Sequence, residues 1–532
     1  MAKIRAIKLP EKRVSIKKNG KYRYVYYIDS YYVTSNGSRT HRDVAIGKLN
    51  EEDPTTFFPN QKYWEYFPKT DPIEEEITEI QQAGFSQLVK NLAQQLKVDE
   101  LLSKNFDDIA DSILSIASFM LSKGNTMMYL DDYYLTHYNP YGSTPTQRKL
   151  GPVYEAISHS RRWHFFKDWQ TLIVNEGDYV AYDVSSVSTY GKSIDLAAMG
   201  YNRDHELLPQ VNLGVFYSQS RHLPICYELY DGSIVDKAHI LEMMDLAEDL
   251  DMKLTVFVMD KGFLTKENLS FLKQHHIPFL MAFPNSQKLY RQWLLNQSKD
   301  LETFESYLGT LPSFGKSAPI QVDDMTFNGF VYMNLEKKGA DIANLSDRIN
   351  RSEEDLKKHM DKQIRLKKDP YFNVEVSDIQ YLTGYSRKND KIEESFKLSG
   401  LFGLISNVED LSVKEALEIY RRRDLIEKHY DDMKNHLEFN RFKTHHQIST
   451  DGKFFIGFIA QIILAYMTNQ LSYCKKAPVA TIEGLITEMD KIQRIKRKDG
   501  SVRLTTFTRK QKDILELFNI DINDYINELV KN

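Results

Sequence analysis

The chain has 532 residues, 42% of them hydrophobic and 27% charged, with a formal net charge of −4. That is too long for one hydrophobic core and too apolar for a disordered protein, so about two to four folded domains are expected. Two cysteines, Cys226 and Cys474, lie far apart in the sequence. They exclude a disulfide framework and a cysteine zinc site, and suit a reducing compartment.

The first residues carry Lys3, Arg5, Lys8, Lys12, Arg13, Lys17, Lys18, Lys21 and Arg23 against a single acid, Glu11. No apolar run follows these charges, so no signal peptide is expected. "YRYVYYIDSYYVT" and "RTHRDVAIG", separated by "SNGS", read as antiparallel strands, giving a small basic β-rich region over 1–55. Apolar residues at three- and four-residue steps then predict helices, giving a helical domain over 70–150.

From 170 to 287 the pattern predicts a mixed α/β core. "DYVAYDVSS" reads as a strand, "LPQVNLGVFYS" and "HLPICYELYDG" as a strand pair, and "LTVFVMDKG" and "IPFLMAF" as buried strands alternating with helices. Residues 288–399 break that alternation and read as an inserted α+β subdomain. "GLFGLISNVED" resumes the core, assigned to 400–475, with one long helix from Ser412. "FFIGFIAQIILAYM" is too short to span a bilayer and reads as a buried helix, so no membrane partner is expected. A basic helical region over 476–532, with Lys491, Arg494, Lys496, Arg497 and Lys498, closes the chain. Its cations and those of the N-terminus leave room for phosphate contacts despite the acidic total.

Two aspartates, Asp183 in "YVAYDVSS" and Asp260 in "VFVMDKGF", are placed at the ends of buried strands, where ligand sites of open α/β sheets lie. A buried carboxylate needs a partner or a metal, although either one alone fits an Asx-turn as well. On a continuous helix, Tyr420, Arg423, Glu427 and Lys434 fall at about 0°, −60°, −20° and −40°, one narrow stripe beside the apolar face. Arg423 and Glu427 also have the spacing of an ordinary helical ion pair.

Together these motifs resemble bacterial insertion-sequence transposases with a DDE catalytic core. Tyr420, Arg423, Glu427 and Lys434 match the family's YREK signature, Tyr-x2-Arg-x3-Glu-x6-Lys. Asp183, Asp260 and Glu427 fall on its three acids, and "GYNRDHELLPQVNLGVF" and "FGLISN" on its flanking blocks. The resemblance implies an RNase H-like mixed sheet interrupted by an insertion. It implies cleavage of the ends of the element and their joining to target DNA, with a DNA hairpin intermediate and a flipped base. Asp183, Asp260 and Glu427 would hold two Mg²⁺ ions about 3.5–4 Å apart, with Mn²⁺ as a substitute. Tyr420, Arg423, Lys434 and Arg203 would contact DNA. The expected partners are duplex DNA, as terminal inverted repeats and target, and a second copy of the chain in a homodimeric DNA complex. The expected location is the bacterial cytoplasm, at the nucleoid.

Three assignments stay structural. Trp293 and Trp163 are candidates for base stacking, but core packing is the preferred reading of both. His205 is given no chemistry, and the adjacent His445 and His446 are not expected to chelate a metal. A transposase-derived DNA-binding protein and a metal-dependent nuclease without strand transfer remain the alternatives.

Overall fold

The computed structural model describes residues 6–67, 77–202, 206–252, 255–309, 311–363, 369–377, 379 and 381–531, without the side chains of 236–238. Arg203 and His205 therefore lie outside the described residues. Two compact units are present. One is Met1–Ile80 with Ile495–Arg503, the other Gln81–Arg494 with Leu504–Asn532.

In the first unit, β1 (Ile7–Lys8), β2 (Val14–Asn19), β3 (Tyr22–Val33), β4 (Arg39–Leu49) and β5 (Thr56–Pro59) form an antiparallel sheet in the order β1-β5-β4-β3-β2. Val25, Ile46, Leu49 and Phe57 make its small core, covered by Tyr63 and Tyr66 of α1 (Gln61–Tyr66). Where β6 (Ile77–Gln82) begins, the Thr78 hydroxyl donates to the carbonyl of Lys496, in the short strand Gln493–Arg497.

The second unit is organised around a nine-stranded sheet. β7 (Tyr179–Thr189), β8 (Gln210–Ser218) and β9 (Leu223–Asp231) run antiparallel. β10 (Val256–Met259) and β11 (Phe279–Ala282) join parallel to β7, after helices Asp236–Asp249 and Lys266–Gln274. β12 (Ser313–Val322) and β13 (Met325–Asn334) come next in sequence, and β13 pairs with β16 (Leu401–Ser406), which pairs with β11. The resulting order is β12-β13-β16-β11-β10-β7-β8-β9.

This departs from a self-contained insertion over 288–399. Its first two strands extend the core sheet, because buried runs such as "GFVYM" pair with whichever edge the fold offers. Only the later part stands apart. There α2 (Leu335–Lys358) packs Leu345 and Ile349 on Phe372, in the hairpin of β14 (Phe372–Val376) and β15 (Leu382–Arg387).

The helices between Gly84 and Ile173 also differ from a separate domain. They share one hydrophobic core with the sheet, through Phe106 and Phe165 against Phe455 at 5.0 and 5.4 Å between ring centroids. Trp169 ties them to β9 by donating from Nε1 to the carbonyl of Pro224 at 2.9 Å.

The long helix expected from Ser412 is two helices. α3 (Val413–Arg421) starts with a capping box from Ser412 and Glu415. α4 (Asp424–Asp431) follows a turn at Arg422–Arg423. There Arg423, Leu425 and Ile426 donate backbone bonds three residues back rather than four, which tightens and redirects the chain. A π-turn over Asp432–His436 ends α4. After β17 (Arg441–Phe442), α5 (Gln447–Tyr473) runs 27 residues. It is longer than its apolar stretch implied and is long and apolar enough to cross a membrane, yet 78% of its most apolar window is buried inside the protein.

Candidate active site

Asp183 sits mid-strand, fifth of the eleven residues of β7, rather than at its end. It is 5% exposed on a strand buried on both faces. What ends beside it is the neighbour. β10 pairs with β7 only from Val256↔Tyr179 to Met259↔Tyr182. Asp260 is the next residue after β10, so the two aspartates follow matched positions on adjacent parallel strands. β7 regains a partner on a short stretch further on, where β17 pairs with Ser188 and Thr189. Within that interval the Tyr430 hydroxyl donates to the carbonyl of Asp183 at 2.8 Å. Sequence reasoning passed over Tyr430; its spacing of three residues from Glu427 was the available signal.

The turn between α3 and α4 delivers Arg423 to this place. Its side chain is 12% exposed, with one terminal nitrogen 3.7 Å from an Asp183 carboxylate oxygen and the other 2.5 Å from Oε1 of Glu427. Tyr420 donates from its hydroxyl to Oδ1 of Asp260 at 3.3 Å, and the Arg423 guanidinium lies 5.8 Å from the centre of its ring. Burial pulls the Arg423 pKa down, but Tyr420, Asp183, Asp260 and Glu427 together outweigh it and hold the group firmly protonated. Burial likewise pushes the Tyr420 phenol up, so it stays a donor to Asp260. Three carboxylates from β7, the end of β10 and α4 therefore surround one cation. Arg423 Nε has no hydrogen-bond partner and is buried.

Among the described residues, no three acidic, histidine or cysteine side chains are already gathered to hold a common metal ion. The donor set nonetheless suits a hard divalent cation. It is all carboxylate, it draws positive charge to its centre, and Glu427 is 55% exposed and free to change rotamer.

The chain that carries Lys434 is not the one continuous helix expected, since the turn at Arg423 and a π-turn interrupt it. Lys434 lies in that π-turn and lines a cavity of about 680 Å³ with Tyr190, Arg441, Lys443 and His445. Arg441 is paired with Glu206 at 2.5 Å and sits 5.0 Å from the Tyr190 ring centre, while Lys443 reaches Glu438 at 2.6 Å. None of Tyr190, Arg441 or Lys443 stood out in the sequence. Trp293 packs: its Nε1 donates to Pro319 at 3.0 Å and its ring fills the space over Gly329. Trp163 lines another cavity, with Lys167 Nζ 5.2 Å from its ring.

Residues 175–463, more than half the chain, match the family profile described as Transposase DDE domain. A search of curated proteins finds no match. Among solved structures, the chain is similar to a piggyBac transposase synaptic complex with hairpin DNA, at 10% identity over 80% of this chain and 77% of that one, with a TM-score of 0.37. It is also similar to a Mos1 mariner paired-end complex with Mn, at 16% identity over 31% and 54%, with a TM-score of 0.15. A pre-cleavage Mos1 transpososome is similar at 11% identity over 41% and 66%, with a TM-score of 0.15. By the match that spans its sheet, its two aspartates and α4, the chain belongs to the DDE transposase family.

Proposed function

We propose that this transposase cuts the ends of its own insertion sequence and joins them to target DNA by two-metal-ion phosphoryl transfer, with Asp183, Asp260 and Glu427 as its catalytic carboxylates. The observation that carries the assignment is their convergence on Arg423 from three separate elements. The run β9-β8-β7-β10-β11, three antiparallel strands followed by two parallel ones, supports an RNase H-like core.

Asp183, Asp260 and Glu427 would hold two Mg²⁺ ions, or Mn²⁺ in their place, which when bound activate the attacking oxygen and stabilise the leaving one. Tyr420 fixes the carboxylate of Asp260, and Tyr430 fixes the strand that carries Asp183. Arg423 balances the carboxylates and, once a stronger cation is present, is free to turn to a DNA phosphate. Lys434, beside Arg441 and Lys443, suits a phosphate further along the strand. Arg203 is assigned to DNA on the sequence resemblance alone, as are a hairpin intermediate, a homodimeric complex on paired ends and action at a bacterial nucleoid.

The test is to supply the full chain with Mg²⁺ or Mn²⁺, a duplex carrying the inverted repeat that brackets the gene, and a target plasmid. Joined products support strand transfer, and a denatured strand of doubled length marks a hairpin. Cleavage without joining makes the protein a nuclease, and a shifted but intact duplex makes it a DNA-binding protein.

A further inference from the structure

The β3–β4 pair is longer than the sheet that holds it. β2 covers β3 only from Tyr22 to Tyr27, and β5 covers β4 only from Gly47 to Leu49. Beyond these, Ile28–Val33 and Arg39–Asp43 run on as a two-stranded ribbon about 20 Å long, closed by a turn in which Gly37 has a φ of 77°. Two strands alone are marginally stable in water, and among the described residues the small core of this unit takes in none of Ile28–Val33 or Arg39–Asp43. Even so, Tyr31, Tyr32 and Val33 are 65%, 53% and 63% exposed. Large apolar groups kept in water at a tip with no core beneath them mark a contact surface.

The chemistry of both faces is alike. Cross-strand pairing sets Tyr31 with His41 and Val33 with Arg39 on one face, and Tyr32 with Thr40 and Ser30 with Arg42 on the other. From Ser30 to Arg42 there are two arginines, one histidine and no acid. The first acid after them, Asp43, is engaged by Lys17 at the ribbon's base. Both acids of the ribbon, Asp29 and Asp43, thus sit at its base, and the outer part from Ser30 to Arg42, with aromatics and cations, fits a polyanion and disfavours a second copy of the same ribbon.

We propose that this ribbon enters a groove of duplex DNA, presenting one face to base edges and the other to the backbone. A two-stranded ribbon fits a major groove about 12 Å wide. The proposal rests on the transposase reading, and it adds a second DNA contact separate from the carboxylates.

The experiment compares the full chain with two double variants, Tyr31→Ser with Tyr32→Ser and Arg39→Gln with Arg42→Gln. All four side chains are exposed or at the ribbon, so unchanged thermal melting checks the fold. Anisotropy is read with the inverted-repeat duplex and with a scrambled duplex of equal length, across a salt series. The tyrosine variant is expected to lose about tenfold or more in affinity for the repeat. The arginine variant is expected to flatten the log–log salt slope by about two. Unchanged affinity in both variants overturns the proposal, while nicking of the repeat by the same proteins leaves the catalytic reading intact. Ribbon-dependent binding without any cleavage does the reverse. Loss of DNA-free self-association in sedimentation, with DNA affinity kept, also overturns it by making the ribbon a contact between copies.

Discussion

The guanidinium of Arg423 lies 3.7 Å from the carboxylate of Asp183, both almost out of solvent, although the two residues are 240 positions apart in the chain. Removing one member of such a pair leaves a buried charge uncompensated. Arg423→Ala is therefore expected to cost about 3 kcal/mol of stability in metal-free buffer. Saturating Mg²⁺ should narrow that deficit, since a divalent cation supplies the missing positive charge. Thermal melts of both proteins with and without Mg²⁺ check this; an equal gap in both conditions would argue against metal binding at these carboxylates.

Glu427 is half-exposed and makes its contact within the site through Arg423. Glu427→Ala should therefore leave folding and end binding nearly unchanged while cleavage falls by about 10³-fold or more, roughly 4 kcal/mol of transition-state stabilisation. Gel shift and cleavage on the same duplex measure the two effects. Parallel loss of binding and cutting would remove Glu427 from the chemistry.

Tyr430→Phe keeps the ring and deletes only the hydroxyl that donates to Asp183. An unsatisfied buried carbonyl costs about 1–3 kcal/mol, so a modest drop in melting temperature is expected. Because the lost bond holds the strand rather than the substrate, cleavage rate should fall more than affinity for DNA. Single-turnover cleavage against anisotropy separates the two.

Lys453 is buried in α5, its Nζ 3.4 Å from Oδ1 of Asn125. Burial, helped by Lys443 and opposed by Glu438, pulls its pKa down to about 7. Between that value and the ordinary lysine value the unfolded chain holds a proton that the folded chain lacks, so stability from this group rises with pH. Below about pH 7 the full cost of burying it charged is present. Lys453→Met should raise the melting temperature most near neutral pH and flatten its rise toward pH 10. Melts across that range check the sign.

The alternation of buried runs and helical periods from Asp178 to Ala282 was enough to place β7 to β11, because strands buried on both faces read as continuous apolar segments. The residues the structure gathers around Arg423 were also visible, as acids and a tyrosine at characteristic spacings. What could not be read is how the chain bends. Arg422–Arg423 holds no glycine or proline to signal a break, so the sequence reads as one helix where the chain makes two and a π-turn. Nor does a buried strand name its sheet, which is why β12 and β13 were assigned to an insertion. Tyr190, Arg441 and Lys443 meet only through tertiary folding.

β7 and β8 are locked together over nine consecutive residue pairs, from Val180↔Ser218 to Ser188↔Gln210. A slip of one position would carry the Asp183 carboxylate to the opposite side of the sheet. On the catalytic assignment proposed above, substitutions that loosen this pairing would silence a copy of the element with all three acids still encoded, so a genome inventory of intact acidic triads would overcount the copies able to jump.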